Sequence, residues 1–345
     1  MNETAIRCGI AGYGYMGEIR KRVIDSLDDT LLIGVFEPDP AVASKLEPSL
    51  RVDSLQALFD RGMDALFVCT PNAFAPPMAA TALSRGVNVF CEKPPGRTVA
   101  DIRAVIDAET AAAGPKLMFG FNHRFHPAVL KAKSIVEGGR LGGLLSLRGV
   151  YGKSGGINFT KSWRHDANLS GGGILLDQGI HMLDLFRLFA GDFEQVKAFA
   201  DRVYWNVGLE DNAFVILKNK NKVGAMLYSS ATLWKHTFRM DVTLENGYMI
   251  VEGLLSKSGS YGRESLVIGR RQFEDEADAV GNPSEEITYF DRDASWSLEV
   301  SEFIDAIRND RPVRTSSSHD ALRVMEIIEQ AYADAGLSFG SVGDV

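Results

Sequence analysis

Residues 5–27 read AIRCGIAGYGYMGEIRKRVIDSL: a short apolar run, then Gly12, Gly14 and Gly17 in the pattern GxGxxG, then a helix-like segment. Glycines so placed let backbone amides approach a pyrophosphate at a helix N-terminus, provided that a strand precedes them and a helix follows. Both flanks are present. A second apolar run, LLIGVFEPDP at 31–40, ends in Glu37, twenty residues beyond Gly17. A carboxylate at that distance reads the adenosine ribose and favours a free 2'-hydroxyl over a phosphate, hence NAD over NADP. Gly12, Gly14, Tyr15, Met16, Gly17 and Glu37 are the expected cofactor-binding set of this half.

The alternation continues downstream. Residues 55–61 and 77–85 read as helices, MDALFVCTPN (63–72) and GVNVFCEKP (86–94) as buried strands, 101–113 as a helix and KLMFGFN (116–122) as a further strand. Alternating β and α elements predict an α/β fold with a doubly wound parallel sheet, whose ligands bind at the carboxyl ends of strands. Thr70, Pro71, Asn72, Glu92 and Lys93 fall at such ends and are expected beside the cofactor. The Lys93 ammonium suits holding a substrate alkoxide. NHRFHP at 122–127 marks the exit. The predicted division is a dinucleotide-binding Rossmann domain at 1–123 and an α+β domain for substrate binding and oligomerisation at 124–345.

A second stretch carries the chemistry, GGGILLDQGIHMLDLFRLFAG at 171–191. Asp177, His181 and Asp184 stand at i, i+4 and i+7, along one face of a predicted helix. The remainder is apolar nearly all round, which predicts burial. A carboxylate and an imidazole on a buried helix are costly unless they pair or do chemistry. Two readings follow: a satisfied core histidine beside a structural carboxylate, or a general base whose second ring nitrogen is fixed by the Asp.

Around that helix the pattern is that of an antiparallel sheet. Residues 127–137 read as a helix, 144–151 as a strand, and GKSGGIN (152–158) as a loop able to close over substrate; His165 reads as a loop residue. Strand-like runs recur at 195–205, 211–219, 222–234, 238–246, 247–253 and 264–269, with KNKN and Asn246-Gly247 as hairpin turns. Residues 213–217 are apolar on both faces, so a homo-oligomer, dimer or tetramer, is expected through this sheet. The acidic FEDEADAVGNPSEE (273–286) reads as a solvated loop, and helices at 295–308 and 319–335 end the chain.

At 345 residues the chain exceeds one ordinary core and suggests two domains. Its 45% hydrophobic and 24% charged residues are those of a globular protein. A net charge of -8 without Lys/Arg clusters argues against a nucleic-acid partner. No apolar run approaches the ~20 residues of a membrane span, and the N-terminus has no leader pattern, so a cytoplasmic protein is expected. Cys8, Cys69 and Cys91 sit in apolar runs and read as free buried thiols, with no metal site.

The combination of GYGYMG, TPN, EKP, FNHRFHP and WR followed by SGGGILLDQGIHMLD resembles the Gfo/Idh/MocA oxidoreductases, named for glucose-fructose oxidoreductase and inositol dehydrogenase. The resemblance runs from about Ile6 to the last helix. It implies a Rossmann domain followed by a domain with a large open, mostly antiparallel sheet, and a nicotinamide cofactor facing a sugar-like hydroxyl. It implies Lys93, Asp177 and His181 as the catalytic group. Trp163 and Arg164 match a pair near the nicotinamide, and Arg124 the arginine of NxRF; Lys93, Arg124, Trp163, Asp177 and His181 form the implied substrate-binding set. Phe74, Pro76 and Pro77 stand where the family often has a histidine after TPN. Pro95 and Gly96 replace an apolar residue after EKP. The expected activity is NAD-dependent oxidation of a secondary hydroxyl of a sugar, cyclitol or nucleotide sugar. The alternatives are an NAD-dependent glycosidase working by transient oxidation and a non-catalytic cofactor-sensing binding protein.

Overall fold

The structure, a computed structural model, describes residues 5–156, 159–256, 258–272 and 281–339. The chain forms two compact units. The first comprises Met1–Phe121, Asn168–Gly171 and Trp296–Arg323; the second comprises Asn122–Ala167, Gly172–Ser295 and Val324–Val345. A single cut does not describe this division, because two later segments return to the first unit.

Strands β1 (Ile6–Ala11), β2 (Thr30–Phe36), β3 (Arg51–Val52), β4 (Ala65–Val68), β5 (Asn88–Glu92) and β6 (Leu117–Gly120) form the sheet of the first unit. Their order is β3-β2-β1-β4-β5-β6 and every pairing is parallel. The doubly wound sheet expected from the alternation is therefore present. All four residues of β4 and all four of β6 are buried, as strands covered on both faces must be. Phe67, Phe90 and Phe303 form one aromatic cluster, with ring centroids 5.3 to 5.8 Å apart. The strand order reverses between β1 and β4, and the carboxyl ends of those strands flank the crevice where such sheets bind ligands.

The second unit is built on β7 (Leu144–Gly152), β8 (Gln195–Asp201), β9 (Asn212–Lys218), β10 (Gly224–Ser230), β11 (Thr237–Leu244), β12 (Gly247–Glu252), β13 (Glu264–Arg270) and β14 (Glu285–Phe290). Their order is β14-β13-β12-β11-β7-β10-β9-β8, antiparallel except for the central pair β7 and β10. Helices Pro127–Glu137 and Ile180–Ala190 cover one face. On β8, β9 and β10, Phe199, Phe214, Ile216 and Met226 stay exposed.

Some local expectations shift. The β11–β12 hairpin turns at Glu245 and Asn246, because Gly247 already pairs with Leu244. The end of the acidic segment is not loop, since Glu285 and Glu286 enter β14; residues 273–280 of it lie outside the described residues. Ile157 and Asn158 of the GKSGGIN loop also lie outside them. No described helix is long and apolar enough to cross a membrane, and no cluster among the described residues has the ligands for a metal ion. The three thiols are free, and burial pushes Cys8 up to about 12.

Candidate active site

In the first unit the glycines turn the chain sharply from β1 into helix Tyr15–Ser26. Gly12 has φ +91°, and a Cβ there would lie 2.8 Å from the Cys69 carbonyl oxygen. A Cβ on Gly17 would lie 2.2 Å from the Gly12 oxygen, so neither position admits a side chain. Gly14 begins the helix with no side-chain cap, and a Cβ on it would meet nothing. The amides of Tyr15, Met16 and Gly17 thus form an open helix N-terminus suited to a pyrophosphate. Beside it, Glu37 accepts hydrogen bonds from the Tyr13 amide (2.6 Å) and the Asp39 amide (2.9 Å), which fixes its carboxylate at the end of β2.

Thr70, Pro71 and Asn72 follow β4. The Thr70 hydroxyl is buried with no partner among the described residues, a group left for a ligand to satisfy. Asn72 donates from Nδ2 to the Ser170 carbonyl (2.7 Å). Glu92, at the end of β5, pairs with a buried cation. Arg20, fully buried, donates from Nε to Glu92 (2.6 Å) and from Nη2 to Glu299 (2.7 Å), with its guanidinium over the rings of Phe90 and Trp296. Glu92 is committed to that internal network. Lys93 follows it, half-buried, with a cis peptide to Pro94. The glycine turn, open helix end, Glu37 and orphan Thr70 hydroxyl fit a dinucleotide.

In the second unit the stretch predicted as one regular helix is two. Leu175–Gly179 is a π-helical turn and Ile180–Ala190 is α-helical. The Ile180 amide donates back to Leu175, and Asp177 lies in the widened turn while His181 and Asp184 lie on the α-helix. The single straight face expected from i, i+4, i+7 spacing is thereby corrected. Such wide turns recur at functional sites.

Asp177 accepts from Lys153 Nζ (2.7 Å), Arg164 Nε (3.2 Å) and Gln178 Nε2 (3.2 Å). The Arg164 guanidinium also lies over the Trp163 ring at 4.7 Å. Asp177 is partly open to solvent and His181 is nearly enclosed, with relative exposures of 17% for the side chain and 4% for the residue. The imidazole of His181 stacks on that of His123 with centroids 3.7 Å apart and planes 18° off parallel. His123 is held at both nitrogens, Nδ1 to the Asn122 side-chain oxygen (3.1 Å) and Nε2 to the Tyr151 hydroxyl (3.0 Å). Burial pushes the Tyr151 phenol well up, so it stays protonated.

Asp184, fully buried, forms a two-point ion pair with Arg124, Nε at 2.7 Å and Nη2 at 2.5 Å. Arg124 is thus held in place by Asp184 inside the unit. His165 ends a short 3-10 turn, Trp163–His165, packs on Phe159 at 4.2 Å, and burial holds its pKa below the ordinary value. Sequence reasoning overlooked His123, Lys153 and Tyr151. The two histidines of NHRFHP were the available signal. The second, His126, bonds Glu264 at 2.7 Å.

The first unit has the sheet and the glycine turn of a dinucleotide-binding domain. Residues 6–121 match the profile of the oxidoreductase family with an NAD-binding Rossmann fold, and residues 129–250 match the GFO/IDH/MocA C-terminal domain. The chain belongs to the Gfo/Idh/MocA oxidoreductase family. It is 30% identical to levoglucosan dehydrogenase of Pseudarthrobacter phenanthrenivorans over 213 residues, 56% of this chain and 53% of that protein. It is 25% identical to inositol 2-dehydrogenase of Rhizobium meliloti over 238 residues, 65% and 68% of the two chains. In fold it is similar to a levoglucosan dehydrogenase solved with NADH, at TM-score 0.83 and 20% identity over 99% of this chain and 100% of that one.

Proposed function

We propose that this protein oxidises a secondary hydroxyl of a sugar, cyclitol or nucleotide sugar, with NAD as the preferred cofactor and Lys93, Asp177 and His181 as the catalytic group. The observation that carries the reading is the buried His181, oriented by a stacked, doubly hydrogen-bonded His123, four residues after a carboxylate held by two cations. The names of the relatives, which act on levoglucosan and inositol, support the substrate class. Bound NAD supplies the hydride acceptor. His181 removes the hydroxyl proton, Asp177 stabilises the resulting imidazolium, and the Lys93 ammonium holds the substrate oxygen. Glu37 binds the adenosine ribose, and the amides after Gly14 bind the pyrophosphate. Trp163 and Arg164 bind at the nicotinamide end, and Arg124, held by Asp184, contributes to substrate binding. The protein self-associates through the apolar face of β8, β9 and β10.

The test is a panel of inositols, free and anhydro-hexoses and UDP-sugars, each followed by nicotinamide absorbance with NAD and with NADP. Reduction of NAD by at least one compound, with NADP slower, is the expected result. Release of sugar from a glycoside without net NADH, or no reduction by any compound, would contradict the proposal.

A further inference from the structure

We propose that Glu210 and Tyr332 are positioning residues for the segment that carries Asp177 and His181, an inference that rests on the reading of His181 as base. Glu210 lies in the link between β8 and β9, and its carboxylate reaches the chain just before the π-helical turn. Oε2 accepts from the Gly173 amide (2.8 Å), and Oε1 accepts from the Leu175 amide (3.1 Å) and from the Tyr332 hydroxyl (2.7 Å). The backbone oxygen of Glu210 accepts from the intervening Ile174 amide (3.0 Å). Three consecutive amides are therefore held by one residue, two residues short of Asp177.

Two glycines of the stretch, Gly172 and Gly173, are explained by this grip. A Cβ on Gly173 would stand 2.0 Å from the Glu210 backbone oxygen, and one on Gly172 would stand 2.4 Å from the Tyr332 hydroxyl. Glu210 and Tyr332 are both buried, and among the described residues the titratable group bonded to the carboxylate is the Tyr332 phenol. A buried carboxylate met by amides and a phenol, with no cation bonded to it among the described residues, is a costly way to hold a loop. The expense is understandable if the loop fixes the direction in which Asp177 and His181 leave it. An error of about 1 Å in such groups costs about a hundredfold in rate.

The experiment compares Glu210→Gln, Tyr332→Phe and His181→Ala in the full chain, measuring kcat, KM, NAD affinity by fluorescence titration and Tm. Glu210→Gln is expected to lower kcat about tenfold to a hundredfold with NAD affinity unchanged, and Tyr332→Phe to lower it less in the same direction. If Glu210→Gln does not fold, Tyr332→Phe decides, since it removes one hydroxyl. An inert His181→Ala beside full turnover in the clamp variants would overturn the clamp alone. Parallel losses of kcat and NAD affinity would also overturn it, by showing general damage. Full turnover in His181→Ala would overturn the base reading, and the clamp with it.

Discussion

Arg20 is a charge fully removed from water, and its neighbours show what that requires: Glu92 and Glu299 at hydrogen-bond distance and two aromatic rings across its face. Removing the cation leaves two buried carboxylates, so Arg20→Met should destabilise the protein by about 3–5 kcal/mol. A thermal or urea melt checks this; an unchanged midpoint would contradict it. The pairing of Glu92 with Arg20 was not legible, because Arg20 and Glu299 are invisible from position 92 along the chain. Glu37 is the opposite case, since its place after β2 was legible from spacing alone. Glu37→Ala should weaken NAD binding about tenfold, the worth of a charge-assisted hydrogen bond, with equilibrium titration as the measurement.

At the scale of elements, the segment from Leu175 to Ala190 shows where periodicity stops informing. Apolar residues all round gave burial correctly, but the π-helical turn and the stacking of His123 on His181 depend on tertiary neighbours that spacing does not encode. The grip of Glu210 on that segment has a pH signature. Burial raises its carboxyl from 4.5 to about 7, against the lowering effect of the Tyr332 hydroxyl and backbone amides. Between those values the folded protein retains a proton that the unfolded chain has released, so this group's contribution to stability falls as pH rises from about 4.5 to 7. The loss is about 3 kcal/mol at most. Glu210→Gln abolishes the titration, and its Tm relative to the parent should rise across that window; a constant difference would contradict the assignment.

For the molecule as a whole, the parallel sheet of the first unit was legible because strands and helices alternate and a glycine turn sits at the first crossover. The return of Asn168–Gly171 and Trp296–Arg323 to the first unit was not legible, because segments far apart in sequence carry no local mark of sharing a core. The apolar outer face of the second sheet was foreshadowed by residues 213–217, and Phe199, at 76% exposure, with Ile216, at 59%, is its most accessible part. If the proposed interface exists, Phe199→Glu with Ile216→Glu should reduce the molar mass in light scattering to that of a single chain while leaving the Tm within a few degrees; an unchanged mass would contradict the proposed interface.

The central claim is that His181 takes the proton as hydride leaves the substrate carbon. Its most direct test is single-turnover formation of NADH by the protein saturated with NAD and with the best substrate of the panel, compared with His181→Ala under the same conditions. The account predicts a rate lower by about 10²- to 10⁴-fold with NAD affinity unchanged; an equal rate in the two proteins would contradict it.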